Sequence, residues 1–274
     1  MTAISDNLIH FLGREHKDSP NRQTQTFKSI IENGLRTSNM LIKFSEGGSV
    51  TTQAICLTDI PIRDCVEHTS IYGKFGIGFK KSFVKNAGGN PSRYFLNYLP
   101  SETGGGGSQE SRGVLFYNLC LQFKNLKYLI DLQNGGKKLT ITDEQGNICA
   151  DNERIKKHLE SMIYSMSFDK ETGDLGPARD ENRDTDQYYK EREWRMVPST
   201  ANVGSGVAVN DPHSDKFFFR FERADVNMIV VPNEDTRADV LEYLLSLRSS
   251  SDERLKRFGM NALPIINFDD LHKW

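Results

Sequence analysis

The sequence lacks several features that would assign it directly to a class of protein. Its four cysteines, at positions 56, 65, 120 and 149, form no C-x-x-C pair, and its six histidines show no H-E-x-x-H spacing. A metal site is therefore not expected. No apolar run has membrane-spanning length, and the first residues lack the charged and apolar regions of a secretory signal. We expect a cytoplasmic protein with reduced thiols and no membrane partner.

The chain also lacks an excess of charge of either sign. It has 35 basic and 37 acidic residues among 274, a net charge of −2. No global basic field favours nucleic-acid binding, although a local basic groove is compatible with this balance. An apolar content of 37% supports a globular core. We predict a single domain over residues 1–274, with a flexible glycine-rich loop, SETGGGGSQESRG, at 101–113.

Short strand patterns alternate irregularly with a few helical ones, which predicts the α+β class. NLIHFLG has the composition of a first strand, and TFKSIIENGLR places Phe27, Ile30 and Ile31 on one helical face. QAICLTDIP predicts a strand that ends in Asp59, which can cap a helix beginning near Pro61. His10 stands in an apolar stretch, where a core histidine with one satisfied hydrogen bond is the plainest interpretation.

The stretch YYKEREWRMVP, residues 188–198, carries charges at alternate positions of a predicted strand. Alternation places Glu191, Glu193 and Arg195 on one face and Trp194 on the other. One explanation is an exposed strand with an ion pair between Glu193 and Arg195. The other is a pair of carboxylates that point into a cleft.

The stretch YGKFGIGFKKSF, residues 72–83, combines spaced glycines with lysines. The glycines allow close approach of a ligand to the backbone, but they also suit simple turns. Lys74, Lys80 and Lys81 form a local basic cluster. It is either a solvated face or a contact for phosphate groups or nucleic acid.

These stretches resemble the ADP-ribosyltransferases. LIHF followed by FKSIIENGL is similar to the opening of the DarT-like DNA ADP-ribosyltransferases. YGKFGIGFKKSF resembles the glycine-rich second motif of poly-ADP-ribose polymerases, and EREWR resembles their glutamate-bearing third motif. The resemblance implies an ADP-ribosyltransferase-like fold of split antiparallel sheets surrounded by helices, with NAD as substrate.

The same resemblance implies a role for each site residue. His10 would bind the adenosine ribose of NAD, and the Tyr72 ring would pack on nicotinamide. Glu193 would stabilise the oxocarbenium-like transition state, and Glu191 would orient the acceptor. The catalytic residues would be Glu193, Tyr72 and Glu191. The predicted cofactor-binding residues are His10, Phe11, Thr58, His68, Tyr72 and Gly73.

A second resemblance is to the AbiGi family of bacterial abortive-infection proteins. It is carried by CLTDIP, YGKFGIGFKKSF, GNPSRY and YYKEREWR, and it extends over most of residues 8–100 and 180–235. Members of this family have been labelled antitoxins.

Together the resemblances predict an NAD-dependent ADP-ribosyltransferase that acts as a toxin in anti-phage abortive infection. It would modify nucleic acid, RNA rather than DNA, and a cognate antitoxin or regulatory protein would hold it inactive. The alternative is a non-catalytic AbiGi-type antitoxin that binds a partner protein. A third hypothesis is a metal-dependent nuclease built on Asp59, Glu191 and Glu193.

Overall fold

The structure, a computed structural model, describes residues 6–12, 19–43, 49–96, 122, 125, 128, 131, 141–142, 145, 148–172 and 192–271. Residue contacts group the chain into two compact units. The first comprises Met1–Ser38, Gln53–Pro91 and Glu191–Trp274, and the second comprises Asn39–Thr52 and Ser92–Lys190. The prediction of a single domain stays untested, and the predicted loop at 101–113 lies outside the described residues.

The helices and strands follow one another along the chain in short segments. The first half contains β1 (Asn7–Phe11), α1 (Pro20–Asn33), β2 (Leu35–Arg36), β3 (Ser38–Lys43), β4 (Ser49–Thr58), α2 (Val66–Tyr72), β5 (Gly76–Lys80), α3 (Lys81–Asn86), β6 (Asn90–Pro91) and β7 (Arg93–Leu96). The second half contains β8 (Ile141–Thr142), β9 (Ile148–Ala150), α4 (Asn152–Met166), β10 (Asp169–Thr172), β11 (Glu193–Met196), α5 (Thr200–Gly204), β12 (Ala208–Asn210), β13 (Phe217–Phe219), β14 (Val226–Val231), α6 (Glu234–Ser246), α7 (Glu253–Met260) and β15 (Ile265–Asn267).

A large sheet organises the first unit, with the strand order β15-β14-β5-β1-β4-β11-β6. Neighbouring strands are antiparallel except β14 and β15, which are parallel. A smaller sheet has the order β12-β13-β2. In the second unit β3 pairs with β4, β7 runs parallel to β10, and β8 runs antiparallel to β9. Helices and mainly antiparallel sheets confirm the α+β class.

One face of the large sheet carries the main apolar core. The register pairs Leu8 with Phe79 and Leu57 with Trp194, so these side chains share a face. Leu8, Phe79 and Leu57 are buried in one cluster, and Trp194 packs against it. The opposite face carries Ile9, Thr58 and Glu193, because Thr58 is the register partner of both Ile9 and Glu193.

Helix α1 forms where the apolar spacing predicts it. Phe27, Ile30 and Ile31 are buried, and the Phe27 ring stacks on Phe75 with centroids 5.4 Å apart. The helix ends at Gly34, whose φ is 105° and whose N–H donates to the Ile30 carbonyl. A Cβ at Gly34 would lie 2.5 Å from the Phe219 carbonyl oxygen, so the turn into β2 requires glycine.

The segment after β4 differs from the sequence prediction. A 3₁₀ turn over Ile62–Asp64 comes first, and α2 begins only at Val66. Asp59 caps neither of them, because their N-cap residues are Pro61 and Cys65, and its Oδ2 accepts a hydrogen bond from Lys81. The Val66 side chain is 53% exposed, while Cys65 is buried.

Candidate functional site

His10 contacts the neighbouring strand through its side chain. The imidazole Nδ1 lies 2.9 Å from the Cys56 carbonyl oxygen. Because a carbonyl oxygen only accepts, Nδ1 carries the proton when the ring is neutral. Burial lowers the pKa of His10 below its ordinary value, and the Cys56 carbonyl acts in the opposite direction. The expected single satisfied hydrogen bond of a core histidine is therefore present.

Glu193 opens β11 and is held by a residue of the same strand. Its Oε1 accepts a hydrogen bond from Arg195 Nε at 2.6 Å. The two side chains are 10% and 6% exposed. The sequence predicts this pair by alternation, but it predicts an exposed pair, and the structure buries both partners. Thr58 lies opposite Glu193 on β4 and is also buried.

The strand register does not bring His10 to the face of Glu193. Ile9, Thr58 and Glu193 are consecutive register partners across three strands, so they share one face of the sheet. His10 follows Ile9 in an extended strand, and alternation directs its side chain to the opposite face. A single NAD molecule that contacted both His10 and Glu193 would therefore have to reach both faces of the sheet.

Three other predicted cofactor residues do come together, as a cluster of rings in which His68 stacks on Tyr72 and is tilted against Phe11. The His68 ring lies 5.1 Å from the Phe11 ring and 4.4 Å from the Tyr72 ring, measured between centroids. Gly73 ends α2 with a φ of 82°. The predicted pocket residues on β1 and α2 are therefore neighbours. Whether they bind NAD stays a prediction.

The predicted basic cluster is partly neutralised. Lys74 Nζ lies 2.6 Å from an oxygen of Asp269, and Lys81 Nζ lies 2.8 Å from Asp59 Oδ2. Lys80 is exposed. Of the three lysines, two therefore already have carboxylate partners.

Sequence reasoning missed the contacts of Asp59. Its Oδ2 also lies 3.7 Å from Arg192 Nη2, and its backbone N–H donates to the Arg192 carbonyl at 3.0 Å. Lys81 Nζ lies 5.2 Å from the centre of the Trp194 ring. Asp59, Lys81 and Arg192 are far apart along the chain, so no local motif signals the cluster.

Two further predictions concern Glu191 and metal binding. Glu191 lies outside the described residues, so its proposed role in orienting an acceptor stays a prediction. Within the described ranges, no group of three or more His, Cys, Asp or Glu side chains could hold a metal ion. In the same ranges, no helix has both the length and the apolar character needed to cross a bilayer.

Comparison with known proteins gives one result. The model of the family described as "Putative abortive phage resistance protein AbiGi, antitoxin" matches residues 36–232. Neither the curated proteins nor the solved structures contain a match. The specific ADP-ribosyltransferase-like fold and the likeness to DarT-type enzymes are thus without support from a relative.

The family description overturns the predicted function. It names an antitoxin, so the prediction of an NAD-dependent ADP-ribosyltransferase toxin is wrong, and the alternative of an AbiGi-type antitoxin agrees with it. The family description says nothing about enzymatic activity or about NAD as a substrate, so both stay predictions. Abortive phage resistance, predicted from the same stretches, is confirmed as the theme of the family. Because the match covers more than half of the residues, the chain belongs to the AbiGi family.

Proposed function

We propose that this chain is a non-catalytic antitoxin that acts by binding a partner protein. The observation that carries the proposal is the match of residues 36–232 to a family described as an antitoxin. In this proposal the chain acts by binding its toxin directly, so the partner is a protein. In this proposal the α+β scaffold serves binding and not catalysis.

The geometry around Glu193 supports a role without catalysis. A carboxylate that assists cleavage of NAD must face the ribose with its charge available to the developing oxocarbenium. The Glu193 carboxylate is instead buried and paired with Arg195 at 2.6 Å. His10, which would bind the same NAD molecule, belongs to the other face by its register.

Growth measurements in bacteria test the proposal. Strong expression of this chain alone should leave growth unchanged, whereas a toxin should arrest it. A tagged chain, captured with its partner from its native host after cross-linking, supplies the candidate toxin. Expression of that candidate alone should arrest growth, and co-expression of this chain should restore it.

A nicotinamide-release assay with purified chain and NAD completes the test. We expect no release above that of a heat-unfolded sample. Growth arrest by the chain alone, accompanied by nicotinamide release, would contradict the proposal.

A further inference from the structure

Strand β15 stands at one end of the large sheet. Among the described residues it pairs with β14 alone, in parallel. The Ile229 N–H donates to the Pro264 carbonyl at 2.9 Å. In a parallel ladder with this phase, Ile266 directs its N–H and C=O toward β14, and Ile265 and Asn267 direct theirs outward. No main-chain group of the described residues bonds these outward donors and acceptors, so β15 has an open edge.

This edge lacks the features that usually protect an end strand. Natural proteins commonly place lysine, proline or a bulge there. Strand β15 has no charged residue, and all of its residues are half-buried. Pro264 precedes the strand, but its position faces β14, where its carbonyl is used, so its ring blocks nothing on the outer side. The outer edge can therefore accept another extended backbone.

Helix α6 lies over the same end of the sheet. It contacts both β14 and β15. Its Val240 and Leu244 are buried in the main core, and Ile265 packs against the same cluster. Helix α1 lies beside α6 on the side of β5, because its Phe27 stacks on Phe75, next to β5. The other side of α6 is therefore turned toward the open edge.

Two exposed leucines lie on that other side. The Tyr243 hydroxyl donates to Glu32 of α1 at 3.1 Å, so Tyr243 marks the side of α6 that faces α1. Residues two positions before and after Tyr243 are turned by about 200° around the helix. These residues are Leu241 and Leu245, which are 47% and 42% exposed. An open strand edge and an apolar helix flank thus lie next to each other.

We propose that two copies of this chain pair through β15, antiparallel about a twofold axis, with their α6 helices in contact over the joined sheet. In this arrangement Ile265 of one copy exchanges both main-chain hydrogen bonds with Asn267 of the second copy, and the two Ile266 residues lie opposite each other. The edge is self-complementary, because its two outward residues are placed symmetrically about Ile266. The inference does not rest on the proposed antitoxin function.

The spacing of strands and helices favours a second copy as the occupant. Neighbouring strands lie about 4.8 Å apart, so a helix midway above β14 and β15 lies about 5 Å from an axis between the two β15 strands. The two α6 axes are then about 10 Å apart, which is the separation of packed helices. Leu241 and Leu245 of both copies meet in that gap. A single peptide strand on β15 would bring no helix to cover them.

The charges around this surface are compatible with self-pairing. Four charged side chains border the leucines on α6 and just after it. They are the acidic Glu234 and Glu242 and the basic Arg237 and Arg248, so the two signs balance. Past the end of β15, Asp269 is paired with Lys74. Antiparallel pairing about Ile266 places Asp269 and Asp270 of the two copies at opposite ends of the joined strands.

Sedimentation velocity of the purified full chain tests the proposal. We expect a dimer, of twice the chain mass of 31.1 kDa, that dissociates on dilution. The main variant is Asn267→Pro. Proline suits this position, because the φ of Asn267 is −78° and its N–H is not used by β14. The change removes an outward donor and should weaken the dimer by about tenfold or more.

Two controls separate the edge from other effects. Asn267→Ala removes the same side-chain acceptor of the Asp269 N–H but keeps the main-chain donor, so it should leave the dimer intact. Leu241→Glu/Leu245→Glu should dissociate the dimer, whereas Leu41→Glu should not. Leu41 is 53% exposed on β3, which pairs with β4 on the other half of the sheet. Circular dichroism verifies that each variant is folded.

Amide hydrogen exchange provides a readout that needs no substitution. In the dimer the N–H groups of Ile265 and Asn267 should be protected, and dilution should expose them. The Ile266 N–H, which faces β14, should stay protected in both states. A wild type that is monomeric at every concentration, a dimer that survives Asn267→Pro, or an equal loss in Asn267→Ala or Leu41→Glu would each overturn the proposal.

Discussion

Two buried ion pairs near the start of β11 differ in their exposure and in the number of cations near the carboxylate. Glu193 and Arg195 belong to one strand, lie 2.6 Å apart, and are 10% and 6% exposed. Asp59 and Lys81 come from different elements and are 9% and 15% exposed, with Arg192 as a second cation nearby. The first pair is balanced in charge, whereas the second has one cation in excess.

This difference in exposure indicates which pair has a charged side chain that another molecule can reach. The Glu193–Arg195 pair has one charge of each sign, and its burial leaves little of either side chain accessible to a ligand. The cluster around Asp59 keeps part of its charge at the surface, because the Arg192 side chain is 37% exposed. Within EREWR the glutamates were expected to provide the chemistry, yet Arg192 has a more exposed side chain than Glu193.

The largest expected effect comes from breaking the closed pair. Arg195→Ala would leave the Glu193 carboxylate buried without this cation, which typically costs about 3–5 kcal/mol of unfolding free energy. Urea unfolding measures it. The double variant Glu193→Leu/Arg195→Met should lose much less, because it removes both charges together. A loss below about 1 kcal/mol for Arg195→Ala would mean that water solvates the pair.

A smaller effect is expected from the open cluster. Asp59→Asn keeps the side-chain shape but removes the charge that binds Lys81, and we expect a loss of about 1–3 kcal/mol. Lys81 is more exposed than Arg195, so its ammonium group can turn toward water. The matched control is Glu253→Gln, which breaks an exposed pair with Lys256 and should cost about 0–1 kcal/mol. Equal losses in both variants would remove the distinction between a buried and a surface pair.

The smallest effect concerns pH and His10, which contacts β4, the strand that ends one residue before Asp59. Its pKa in the folded state lies below the ordinary value of 6.5, so the unfolded chain binds the proton more readily. Stability contributed by neutral His10 is therefore present above pH 6.5 and is lost as the pH falls below it. The limit for one group is about 1.4 kcal/mol per pH unit.

Denaturant unfolding at several pH values below 6.5 checks this sign. His10→Asn retains a donor for the Cys56 carbonyl but does not titrate there, so its stability should fall less steeply than that of the wild type. Parallel pH profiles for the two proteins would show that His10 does not titrate differently on folding.

Local patterns in the sequence determined much of the secondary structure. The spacing of Phe27, Ile30 and Ile31 predicted helix α1. Alternation along β11 predicted that Glu193 and Arg195 share a face and can form a pair. These features depend on residues within one turn or one strand, which the sequence displays directly.

Only the tertiary structure decided which faces meet and which charges are buried. The register of β1 against β4 places His10 and Glu193 on opposite faces, and a shift of one residue would have reversed this. The Asp59 contacts with Lys81 and Arg192 join three distant segments, and a local pattern favoured Asp59 as a helix cap instead. Strand pairing and long-range charge contacts depend on the packing of the whole unit, and no window of the sequence contains that information.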